Sequence, residues 1–159
     1  MVDTIVAAAI LTLVCMTLAM LISHSIKGWS FGTSRAYADN SAAVAVERLW
    51  QDARVGQSAS VVSGQLQVTV PTLITDGNGE SYYNTTGAGT IYSYYVSSGN
   101  LMRRIGSGTP TVLARDVSTA TFSVTGKVIT LSVTGSNQVG MSKSVQVRSA
   151  EIILRNGMN

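Results

Sequence analysis

Charge, cysteine, histidine and proline are all scarce in this chain of 159 residues. Only 12% of residues are charged, 11 Lys and Arg against 8 Asp and Glu. The basic residues, Arg35, Arg48, Arg54, Arg103, Arg104 and Arg115 among them, are scattered. They form no basic stripe with aromatic support, so nucleic-acid binding is not expected. The single cysteine, Cys15, rules out an intrachain disulfide and leaves the fold to packing alone. The single histidine, His24, has no Cys, Asp or Glu beside it and reads as a polar interface residue rather than a metal ligand. Eight carboxylates spread along the chain, with one His and one Cys, give no converging acid, base, nucleophile or metal set. No enzyme activity and no cofactor are therefore expected.

What the chain has in abundance is an apolar N-terminus. In "MVDTIVAAAILTLVCMTLAML" a lone carboxylate, Asp3, heads a run in which residues 4–22 contain no charge, Gly or Pro. As a helix this run is roughly 30 Å long, enough to cross a bilayer core. A buried helix of a soluble protein would interleave polar residues at helical spacing. A cleavable secretory signal would carry a basic n-region and a small-residue cleavage site. Membrane spanning fits better than either. In "SHSIKGWSFGTS", which follows, Lys27 and Trp29 have the character of headgroup-level residues.

Residues 34–55 resume a helical pattern, with Ala42, Val46, Leu49, Trp50 and Ala53 at spacings of three and four and Gly56 as a stop. Gly28 and Gly32 lie between the two helical stretches, where they favour a bend or local melting. From residue 59 to 156 the period becomes two: "ASVVS", "QLQVTV", "TIYSYYVS", "NLMRRI", "PTVLARDV", "ATFSVTG", "KVITLSV" and "SVQVRSAEIILR" read as antiparallel strands. Hairpins are expected around Ser98, Gly99 and Asn100 and around Thr125, Gly126 and Lys127. Residues 76–89 and 135–143 read as exposed polar loops suited to surface-specific contacts. The first holds Asp76, Asn78 and Glu80, a weak calcium candidate that reads better as a Gly-rich turn. It also holds Asn84, the acceptor of an N-x-T sequon and so a possible glycosylation site. The expected fold is α+β: residues 1–32 form a hydrophobic helix and linker, and residues 33–159 form a head in which an amphipathic helix packs on an antiparallel sheet.

This order resembles the type IV pilin and type II secretion pseudopilin superfamily. "VDTIVAAAILTLV" is similar to the family's charge-headed N-terminal motif, and "RLWQDAR", "LMRRI...PTVLARDVSTATFSV" and the closing "EIILRN" resemble the heads of minor pilins and pseudopilins. The family's acidic residue is usually fifth in the mature chain, whereas here Asp3 is third and Ile5 holds the fifth place. The resemblance implies a structural subunit of a pilus-like filament, a major pilin, minor pilin or pseudopilin. Asp3 would pair in the filament core with a neighbour's N-terminal amine, at Met1, and Ile5, Leu11, Leu13, Leu18 and Leu21 would exchange lipid for other subunits. The implied partners are further copies of the chain, other pilins, a prepilin peptidase that removes a basic leader, and the assembly machinery. The implied location is the cytoplasmic membrane, then a surface filament, or the periplasm for a pseudopilin. No Lys or Arg precedes the helix and Lys27 follows it, so a removed basic leader would be needed to place the head outside. In such a filament any melted helical segment would begin near Gly28. The competing reading is a singly anchored, β-rich extracytoplasmic binding protein that does not polymerise.

Overall fold

Nothing in the first third of the chain stops a helix, since both prolines, Pro71 and Pro110, come later. In the computed structural model, which describes residues 2–84 and 87–155, α1 accordingly runs unbroken over Val2–Ala53. At ~1.5 Å per residue it is about 78 Å long. The expected bend does not occur: α1 passes straight through Gly28 and Gly32. Two glycines cost about 2 kcal/mol against alanine, too little to break a helix continued on both sides. The helix stops where anticipated, with the Gly56 N–H donating to the Ala53 carbonyl at 2.9 Å. A side chain on buried Gly56 would collide with Val68.

Among the described residues ten strands follow: β1 Ser58–Val62, β2 Gln65–Val70, β3 Thr72–Thr75, β4 Ser81–Asn84, β5 Thr90–Ser97, β6 Asn100–Ile105, β7 Thr111–Arg115, β8 Val117–Thr125, β9 Val128–Val139 and β10 Ser142–Ile153. They build three antiparallel sheets rather than one: β1-β2-β5-β6-β7, β10-β9-β8, and the small pair β3-β4. Both expected hairpins form, with two-residue turns at Ser98-Gly99 and Gly126-Lys127. Ser98 and Gly99 both have positive φ, the backbone that matches the twist of paired strands. The chain changes sheets at the single residue Asp116, between β7 and β8, again at positive φ.

Residues 76–89, expected as a loop, hold strand β4, which pairs with β3, and the 135–143 segment departs further from expectation. It is not a loop but the end of one long hairpin, β9 and β10, closed by the two-residue turn Gly140-Met141. Its Ser, Asn and Gln residues hid a strand that continues the alternation of β9, where Ile129, Leu131 and Val133 face inward.

One core joins the C-terminal part of α1 to both larger sheets. Ala45, Leu49 and Ala53 meet Leu66, Val68, Tyr94 and Leu101 of the first sheet and Val117, Ile129, Leu131, Val133 and Ile152 of the second. The buried stripe of α1 is Ser34, Ala38, Ala42, Ala45, Leu49 and Ala53. Trp50, expected on it, instead faces outward beneath the Arg54 guanidinium, which lies 4.7 Å from its ring centroid. The stripe is small-sided for a reason: the helix backbone rests on β9, and a Cβ on Gly135 would overlap the Ala38 carbonyl oxygen.

Candidate functional site

The candidate site is the uncovered half of α1. Every large apolar residue from Val2 to Ile26 is solvent-exposed, and Ile5, Leu11, Leu13, Leu18 and Leu21 each expose more than half their surface. At ~1.5–3 kcal/mol per large apolar side chain kept out of water, this surface amounts to tens of kcal/mol, more than the ~5–15 kcal/mol that holds a whole domain together. By length and composition the segment is long and apolar enough to cross a membrane.

Three of its polar side chains bond back to the helix. Thr12 Oγ1 donates to the Ala8 and Ala9 carbonyls at 3.0 and 2.8 Å, and Thr17 Oγ1 to Val14 at 2.8 Å. His24 Nδ1 lies 2.9 Å from the Met20 carbonyl. Each group finds its partner within the helix, which is the condition for entering a medium that offers none. Cys15 is exposed within the same stretch.

Asp3 lies in the first helical turn and is exposed. Its charge there opposes the positive end of the helix dipole, worth about 0.3–1 kcal/mol. Among the described residues the ion pairs are Arg103–Asp52 and Arg148–Asp39, neither involving Asp3. Met1, its expected assembly partner across subunits, lies outside the described residues. Lys27 and Trp29 sit five and seven residues beyond the end of the apolar run at Ile22, both exposed.

Where the helix meets the head, Ser34 Oγ donates to the Asn137 carbonyl at 2.7 Å and Ser30 Oγ to the Val139 carbonyl at 2.6 Å. Arg148 grips Asp39 with two bonds of 2.8 and 2.7 Å, which hold the Asp39 carboxyl below its ordinary 3.8. Sequence reasoning missed these contacts because they join positions more than a hundred residues apart. An apolar groove of about 880 Å³ separates the β9–β10 turn from the helix, lined by Ile22, Ile26, Phe31 and Met141 with Lys27 at its side.

Deeper in the head, Arg103 pairs with Asp52 at 2.8 Å, and the Tyr94 hydroxyl donates to the same carboxylate at 3.4 Å. Burial, and then the Asp52 charge, push the Tyr94 phenol far above its ordinary value of 10. This trio ties α1 to β5 and β6.

The loop candidates have local roles. Asp76 Oδ1 accepts the N–H groups of Asn78 and Glu80, both at 2.9 Å, closing the turn between β3 and β4. The Gly-rich turn therefore has its own account without an ion, and no group of three or more His, Cys, Asp or Glu that could hold a metal occurs among the described residues. Asn84 is half-buried and its Oδ1 accepts the Gly87 N–H at 3.0 Å. The rest of its sequon, Thr85 and Thr86, lies outside the described residues.

Searches against family models, curated proteins and solved structures found no match.

Proposed function

We propose that this chain is a structural subunit of a pilus-like filament, held in the membrane by α1 before assembly and polymerising through the same helix. The observation that carries the reading is an exposed apolar half-helix, headed by one carboxylate and continuous with the scaffold of the head. A plain anchor requires hydrophobicity alone. Asp3 adds a charge that would cost several kcal/mol in an apolar bundle unless it were paired.

In this reading Asp3 sets register. A subunit docked correctly presents a cation, the N-terminal amine of its neighbour, to the carboxylate; one docked a turn away leaves the charge unpaired. Ile5, Leu11, Leu13, Leu18 and Leu21 supply close packing in place of lipid, while the head covers the outside.

The test is electron microscopy and N-terminal mass spectrometry of material sheared from native cells, for wild type and Asp3→Ala. Wild-type fibres containing this chain, and an Asp3→Ala variant that inserts and folds yet yields none, are expected. Normal fibres from Asp3→Ala would remove the register role. Membrane-bound monomer without fibres in wild type would favour the anchored binding protein.

A further inference from the structure

Strand β9 follows α1 in a fixed register. Gly135 abuts Ala38, the Asn137 carbonyl takes the Ser34 hydroxyl, and the Val139 carbonyl takes the Ser30 hydroxyl. Each step of two strand residues, ~6.8 Å, matches four helix residues, ~6 Å. One more step brings residue 141 beside residue 26, and Met141 and Ile26 do line the same groove. The turn is thus the part of this hairpin that reaches farthest toward the N-terminus of α1.

That level coincides with the edge of the apolar span. No charge occurs between Asp3 and Lys27, a distance of about 36 Å along the helix, so Lys27 falls where the acyl region gives way to headgroups. Met141 stands there fully exposed. Turn chemistry gives no reason for a methionine at this place, since Gly140 already supplies the positive φ and a polar residue would serve the other position. Lys27 lines one side of the groove, and Ser142 follows Met141 on the other.

We propose that the β9–β10 turn is a second membrane contact: Met141 enters the interfacial zone of a phospholipid bilayer, and lipid fills the groove between the turn and α1, with Lys27 facing its phosphates. The occupant is lipid rather than protein because the groove runs along α1 from Ala19 past Lys27 and pairs an apolar floor with that one cation, the chemistry of an acyl chain beneath a phosphate. The contact would fix the head's tilt on the membrane. It rests on α1 spanning a bilayer and is independent of polymerisation.

The full chain is reconstituted in vesicles of phosphatidylcholine and phosphatidylglycerol carrying one environment-sensitive fluorophore. The label is placed on native Cys15, or, in a Cys15→Ser background, on Met141→Cys or on Thr125→Cys. Thr125 is exposed at the opposite end of β9. Circular dichroism confirms that each variant is folded. A blue-shifted Met141→Cys label, quenched by lipids with a nitroxide near the headgroup, is expected, with Thr125→Cys unshifted and Cys15 quenched by a nitroxide deep in the acyl region. A Met141→Cys label behaving like Thr125→Cys, while Cys15 is quenched, overturns the contact and leaves the span intact. A blue shift without lipid quenching assigns the groove to a second copy and also overturns the proposal. An unquenched Cys15 label rejects the span and the contact together.

Discussion

Gly135 is where helix and sheet touch backbone to backbone, so a single methyl group there should be costly. Gly135→Ala would drive its Cβ into the Ala38 carbonyl and to 3.1 Å from the Ala42 nitrogen. We expect a loss of about 1–3 kcal/mol of head stability or more, read as a lowered thermal midpoint of the full chain in detergent. An unchanged midpoint would mean that α1 can shift off β9 without penalty. The Arg148–Asp39 clamp makes a different prediction. Because the folded Asp39 value lies below 3.8, its stabilisation is complete above that value and is lost as pH falls through the lower folded one. In an NMR titration Asp39 should titrate below 3.8 in wild type and return toward 3.8 in Arg148→Gln; identical titrations would show that the two side chains do not pair in solution. The exposed apolar run itself was legible in the sequence because it is uninterrupted from Thr4 to Ile22. Gly135 and the Ser30, Ser34 and Asp39 contacts were not, because their meaning depends on residues that only the fold brings together.

At the scale of elements, α1 owes its continuity to what flanks Gly28 and Gly32, since a Cβ at either glycine would meet no atom within 4 Å. Gly28→Ala with Gly32→Ala should therefore be sterically free and stabilise the helix by about 1–2 kcal/mol in total. Hydrogen exchange should slow across residues 26–34 while the head's thermal midpoint stays close to wild type. If fibre assembly requires local melting at these glycines, the double variant should also assemble more slowly. Unchanged exchange would show that the glycines do not limit this stretch. Periodicity revealed both halves of α1, and hairpin chemistry revealed the turns at Ser98-Gly99 and Gly126-Lys127, because those signals are local. Periodicity placed Trp50 on the buried face, yet the close approach of helix to sheet admits only small side chains along most of the stripe. The end of the β9–β10 hairpin read as a loop because its Ser, Asn, Gln and Gly residues carry turn propensity, and a long antiparallel partner outweighed it.

For the molecule as a whole, the division of labour along α1 places the boundary between span and head by contact rather than by composition. Contacts with the head begin at Ser30 and Ser34, and the buried stripe continues from there to Ala53. The large apolar residues before that point are all exposed. Removing residues 1–29 should therefore yield a soluble head, monomeric by sedimentation, with a thermal midpoint within a few degrees of the full chain in detergent. Removing residues 1–39 is a much harsher cut, since it deletes Ser34, Ala38 and the Asp39 clamp and uncovers the surface of β9 around Gly135. That form should lose several kcal/mol and expose apolar strand surface that promotes aggregation. Equal stability of the two truncations would mean that the first turns of the packed helix contribute nothing to the head. A shorter form that unfolds along with the longer one would mean that the exposed apolar half of α1 holds the head together. The difference between the two cuts measures how far the scaffold of the head reaches into the helix that carries it.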